Sequence, residues 1–152
     1  MNDKDLIVVG VDGTDGSRHA LRWAIDEARR SGCAVEAVTA WTFEGGVVAV
    51  ATPLEQQQQA ERLSEHEVGA VARDVALTRK VIEGYAVDVL SETARDARLL
   101  VLGGHGHGRL RNAVLGSTLD AIVRHAVCPV VIVPAPHPAA VATTPEVAAT
   151  AG

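Results

Sequence analysis

Between Val101 and Thr118 the chain reads VLGGHGHGRLRNAVLGST, with four glycines among the six residues from Gly103 to Gly108 and a Gly-Ser step at Gly116-Ser117. Glycine loses more conformational entropy on folding than any other residue, so a cluster this dense should relieve a steric problem: a tight turn, or a ligand lying against the main chain. The spacing Gly103-x-x-Gly106, nine further residues, then Gly116-Ser117 suits the second use. Ser117 stands three residues before Asp120, a helix-start pattern, and Leu119, Ile122, Val123 and Ala126 give the helix it opens one apolar face. The first amides of such a helix carry the positive end of its dipole, which favours phosphate. Glycines at 103 and 106 would let backbone N–H groups approach phosphate oxygens that a side chain would obstruct.

Other phosphate and catalytic motifs fail on the residues. A Walker A loop needs Lys-Ser/Thr after its last glycine, where Gly108 is followed by Arg109-Leu110. The dinucleotide pattern G-x-G-x-x-G fails in both registers, because Arg109 and Arg111 stand at its third glycine. No G-x-S-x-G elbow for a serine nucleophile is present. His105 and His107 invite a metal, but they lack a third ligand and the H-E-x-x-H spacing, and two polar loop residues beside phosphate or solvent is the plainer account. Arg109 could add charge there or be a solvated arginine. A second glycine-rich stretch, VDGTDGS from Val11, is similar in outline to the Ser-Gly-Gly-x-Asp-Ser loop of PP-loop ATP pyrophosphatases but lacks its opening Ser-Gly. Asp12 in that stretch has two open roles: a cap for the turn and helix that follow, or an acceptor for a ribose or base.

Composition limits what surrounds these loops. The 152 residues suit one domain with a hydrophobic core that needs no staple. Apolar residues make up 47% of the chain and aromatics only 3%, so Val, Ala, Leu and Ile must build the core, as in strands packed under helices. A net charge of −5 with no basic stripe speaks against a nucleic-acid surface. Two cysteines, Cys33 and Cys128, make a disulfide framework improbable. With neither a signal peptide nor an 18-residue apolar span in view, no membrane partner and a cytoplasmic location are expected.

Apolar runs alternate with helical periodicity. A first strand spans Asp5 to Asp12, and a helix carrying Ala20, Leu21, Ala24, Ile25 and Ala28 inward stops at Ser31-Gly32. A second strand runs from Ala34 to Trp41. Glu44 to Pro53 reads as a loop, and a polar helix from about Leu54 to Ala76 has apolar points at Val68, Val71 and Val75 and a solvated face at Gln56 to Gln59. Strand three is Thr78 to Glu83. Helix three turns Val89, Leu90, Thr93, Ala94 and Ala97 inward, strand four is Leu99 to Leu102, and strand five is PVVIV, ended by Pro134. The Ala/Pro/Thr-rich residues 135–152 have no periodicity and are expected to be a disordered tail to a domain of residues 1–134. Strands one, four and five are apolar almost throughout, as strands buried on both faces are. The expected fold is therefore α/β: one open parallel five-stranded sheet, order 3-2-1-4-5, with helices on both faces in the Rossmann manner. Such sheets bind ligands beyond the carboxyl ends of their strands, where both glycine-rich loops lie.

With these residues in place, the chain resembles the universal stress proteins. The spacing at Gly103, Gly106 and Gly116-Ser117 is similar to the G-2x-G-9x-G-S/T signature of their ATP-binding branch. The likeness covers about Asp5 to Pro134, including IVVGVDGTDGS, the VIEGYAVDVL that resembles the family's E-G-x-P/A-x-x-L segment, and LGSTLDAIVRHAVCPVVIV. Tyr85-Ala86 stand where a small polar residue and a proline are frequent, and Thr118 where valine is common. The resemblance implies a nucleotide-binding stress or signalling module with ATP as its ligand, with or without Mg2+, and little or no hydrolysis. It implies adenine and ribose beside Gly10, Asp12, Ala40 and Leu102, and phosphates at Gly103, Gly106, Gly116, Ser117 and Thr118. Two alternatives stay open: a PP-loop-like ATP-using enzyme, and a dimeric scaffold that holds no nucleotide. A homodimer is expected through strand five, because Val130, Val131, Ile132 and Val133 form a short apolar edge with no charge to blunt it.

Overall fold

The computed structural model describes residues 5–43, 51–71, 73–104 and 116–135. Along the chain they form β1 (Leu6–Gly10), α1 (Asp15–Ser31), β2 (Ala34–Trp41), α2 (Pro53–Gly69), β3 (Leu77–Glu83), α3 (Ala86–Thr93), β4 (Leu99–Gly104), α4 (Ser117–His125) and β5 (Val130–Pro134). The five strands make one parallel sheet in the order β3-β2-β1-β4-β5, the order expected from the alternation of apolar runs and helices.

Strand alternation divides the core in two. Ile7, Val9, Val35, Ala37 and Val101 face α1 and α2 and close around Ala20, Leu21, Ala24, Ile25 and Ala28 of α1. Val8, Val38, Leu100 and Leu102 face the other way, under Val89 and Leu90 of α3 and Leu119 and Ile122 of α4. Val131 and Val133 of β5 pack on the first cluster, Val130 and Ile132 on the second. All four are half-buried, so the apolar character of β5 is already used by its own layers, and no described strand pairs with its outer edge.

The helices stop and start for local reasons. α1 ends where Gly32 takes a left-handed conformation (φ 74°) and donates its N–H to the Ala28 carbonyl, a C-cap that glycine adopts without a Cβ penalty. α2 begins at Pro53 rather than after it: Thr52 is the N-cap, and proline at the first helical position loses a donor that would be orphaned anyway. α2 ends at Gly69, short of the expected Ala76. Val71 and Val75 still pack on the core, but from the connection to β3 and not from a helix face. The inward side of α2 carries two buried polar residues, Ser64 and Glu67, beside Val68. Glu67 can be buried because the Arg18 guanidinium grips it with two hydrogen bonds, Nε to Oε2 at 2.9 Å and a terminal nitrogen to Oε1 at 3.1 Å. Gln57, Gln58 and Gln59, nearer the start of α2, are exposed.

Candidate functional site

In this strand order β1 and β4 are neighbours although their connections leave in opposite directions, and a crevice opens beyond their carboxyl ends. A cleft of about 560 Å3 occupies it. One wall is apolar: Val11, Val38, Ala40, Ala86, Leu90, Leu102, Leu119 and Ile122. The other is backbone and small polar groups: Gly10, Asp12, Thr14, Asp15, Gly16, Ser17, Gly103, Gly104 and Thr118, with Ala135 completing the rim. Its size falls within the usual range for small-molecule sites, about 300 to 1,000 Å3.

The turn after β1 is held by its own side chains. Asp12 Oδ1 accepts from the Thr14 amide (3.0 Å) and the Thr14 hydroxyl (2.6 Å), and the Thr14 hydroxyl accepts from the Ser17 amide (3.2 Å) as the N-cap of α1. Ser17 Oγ donates to the Thr14 carbonyl (3.1 Å) and accepts from the Asp12 amide (3.3 Å). Asp12 thus fixes the turn through Thr14, and it does not cap the helix itself. Gly13 completes the turn with φ 82°. No described residue donates to the second Asp12 oxygen, and the residue is exposed at the cleft.

Two of the glycines in this stretch have a packing role beside the uses expected of them. Gly103 and Gly104 are the last two residues of β4, not a turn. A Cβ on Gly103 would lie 2.2 Å from the Gly16 carbonyl carbon and 2.5 Å from the Ser17 amide nitrogen, and one on Gly16 would lie 2.5 Å from the Gly104 carbonyl oxygen. The first turn of α1 therefore rests directly on β4, backbone against backbone, and Gly103 both permits that contact and lines the cleft.

At the start of α4, Gly116 and not Ser117 is the N-cap, and its carbonyl accepts from the Asp120 amide at 2.9 Å. Ser117 is the first helical residue, so the expected Ser117–Asp120 capping pair does not form. No described side chain caps α4, whereas Thr14 and Thr52 cap α1 and α2. Among the described residues the leading amides of α4 thus have no side-chain acceptor where the helix, through Thr118 and Leu119, meets the cleft.

Of the residues singled out in the sequence, Gly10, Asp12, Ala40, Leu102, Gly103 and Thr118 all border this one cleft. Gly116 and Ser117 adjoin Thr118 but are not among its walls. Gly106, His105, His107 and Arg109 lie outside the described residues, as does 136–152. Sequence reasoning missed Thr14, Gly16 and Ser17, for which the Thr-x-x-Ser step ahead of an amphipathic run was a usable signal. It also missed Ala86 and Leu90, which no local pattern marks. The formal charges among the described walls are the carboxylates of Asp12 and Asp15. Among the described residues no cluster of three potential metal ligands occurs, and no helix is long and apolar enough to cross a membrane.

Comparison with known proteins points one way. The profile of the Universal stress protein family matches residues 5–134. The chain is similar to a universal stress protein of Mycolicibacterium smegmatis, 32% identical over 131 residues, which cover 84% of this chain and 45% of that protein. It is similar to one of Mycobacterium tuberculosis, 35% identical over 133 residues, which cover 83% of this chain and 44% of that one. The chain thus spans a little under half the length of these curated relatives. Among solved structures, a universal stress protein family member from Burkholderia pseudomallei superposes with a TM-score of 0.67 at 22% identity, covering 88% of this chain and 98% of that one. A universal stress protein in complex with cAMP gives 0.61 at 23% identity (86% and 97%). An Arabidopsis thaliana family protein with AMP bound gives 0.56 at 18% (86% and 92%). At these identities the structural likeness is one of fold.

Proposed function

Because this chain belongs to the universal stress protein family, we propose that its cleft holds an adenine nucleotide, with ATP as the physiological ligand and a stress-response or signalling role. The observation that carries the proposal is the union, in one cleft at the β1/β4 crevice, of an apolar wall suited to a planar base with a helix start that no described side chain caps. Two structures of the same fold have cAMP and AMP bound. In this chain the base and ribose lie against Gly10, Asp12, Ala40 and Leu102, the free Asp12 oxygen taking a ribose hydroxyl. The phosphates lie toward Gly103, Gly106 and the leading residues of α4, Gly116, Ser117 and Thr118. A nucleotide brings anionic charge to walls that already hold two carboxylates, so Mg2+ carried in with ATP is part of the proposal. Both cysteines are free, in keeping with a cytoplasmic location.

Binding without fast turnover is expected. Asp12 is engaged in its turn and no described side chain is poised to activate a water, so ground and transition states are held alike. Calorimetric titration of nucleotide-stripped protein with ATP, ADP, AMP and cyclic AMP, with phosphate release followed in parallel, is the test. Saturable one-site binding is expected, with release far below the ~10 per second of an ordinary enzyme. Asp12→Ala should weaken it by about 1 to 3 kcal/mol. A folded protein that binds none of the four sinks the proposal. A variant that loses thermal stability but keeps affinity makes Asp12 a turn residue alone.

A further inference from the structure

The chain has one phenylalanine and one tyrosine, and the structure exposes both, Phe43 at 42% and Tyr85 at 73%. Neither belongs to either core cluster. Their positions are linked through the sheet. β2 and β3 run parallel in register to the pair Trp41 and Glu83, and the Gly84 amide donates to the Trp41 carbonyl at 2.8 Å, so Phe43 and Tyr85 each follow the last paired residue of their strand by two positions. Of their chain neighbours, Ala86, directly after Tyr85, and Ala40, three residues before Phe43, line the apolar wall of the cleft. Nor does folding explain Tyr85. It occupies the N-cap of α3, where Ser, Thr, Asp or Asn would satisfy an amide, and it makes no side-chain cap hydrogen bond.

We propose that Phe43 and Tyr85 form a base-selecting rim, aromatic faces that stack on the purine of a nucleotide seated in the cleft. Such stacking favours a large flat ring over a bare sugar phosphate and contributes on the order of tenfold or more per base. It rests on the cleft being a nucleotide site, and the test separates the two. AMP, CMP and ribose 5-phosphate are titrated into wild type, Tyr85→Ala, Phe43→Ala and Tyr85→Phe. Both side chains are exposed, so the variants should fold, which thermal unfolding checks. Tyr85→Ala and Phe43→Ala should each bind AMP roughly tenfold more weakly and lose preference for AMP over CMP, with ribose 5-phosphate unchanged and Tyr85→Phe like wild type. Wild type that fails to bind AMP overturns the nucleotide site itself. Wild type that binds AMP while the alanine variants bind it equally well overturns the rim alone. Unchanged affinity with a shifted sedimentation coefficient would make the pair a protein contact and also overturn it.

Discussion

Gly16 and Gly103 show how much one hydrogen in place of a methyl can decide. Added carbons at either position meet main-chain atoms at 2.2 to 2.5 Å, and main chain in a strand and a helix start cannot step aside. At Gly10 the nearest atoms are side-chain methyls, Leu102 Cδ2 at 3.0 Å and Leu90 Cδ1 at 3.3 Å, which can rotate. Gly103→Ala is therefore expected to destabilise the fold by about 3 kcal/mol or more, and Gly10→Ala by less. Thermal unfolding should rank Gly103→Ala well below Gly10→Ala and wild type; a Gly103→Ala protein as stable as wild type would mean α1 does not rest on β4 as described. Ligand binding by a Gly103 variant therefore reports on packing as well as on phosphate contact. The glycine cluster was plain in the sequence, but its partner was not, because Gly16 is far along the chain and only the β1–β4 adjacency brings the two together.

Among the elements, α2 differs most from its expectation, and the reason is chemical. Its apolar periodicity is weak because Glu67 and Ser64 occupy its buried side, and only the distant Arg18 makes Glu67 tolerable there. The end of the strongly periodic α1, marked by Ser31-Gly32, was legible to the residue, as was β2, whereas the start of α1 was not. The start of α2 is a reciprocal cap. Thr52 accepts from the Glu55 amide (3.2 Å), and Glu55 accepts from the Thr52 amide (2.7 Å) and hydroxyl (2.9 Å). The Thr52 amide first, and then its hydroxyl, hold the Glu55 carboxyl below its ordinary value of 4.5. A depressed folded value means the stabilisation is present above the unfolded pKa and is lost as pH falls through the folded one. Glu55→Ala should thus lower the unfolding temperature near pH 7 and make little difference near pH 3. An equal deficit at both would show that the carboxylate is not what the cap uses.

For the molecule as a whole, the two margins of the sheet have opposite chemistry. β3 is largely exposed and bristles with Arg79 and Lys80, paired to Glu61 (2.7 Å) and Glu36 (3.1 Å). Charges of this kind deter a further strand. β5 bears none. The Leu100 amide donates to the Pro129 carbonyl at 2.9 Å, and the alternation of a parallel ladder then turns the amides of Val130 and Ile132 to the open side. A homodimer paired through this edge is what we propose for the free protein, and the structure sharpens its test. Ile132→Pro removes an outward donor while leaving the bonds to β4, whereas Ile132→Ala trims the side chain and keeps the donor. Sedimentation at tens of micromolar should give two copies for wild type and Ile132→Ala, and one for Ile132→Pro. Three identical profiles would place the contact elsewhere.

The asymmetry of the margins also bounds how far association can go. A sheet receptive on both sides would accept a third copy after the second and grow without limit. In the proposed dimer each outer flank would be a β3 whose charged side chains deter a further strand, so association would stop at a closed pair instead of running on toward a fibre.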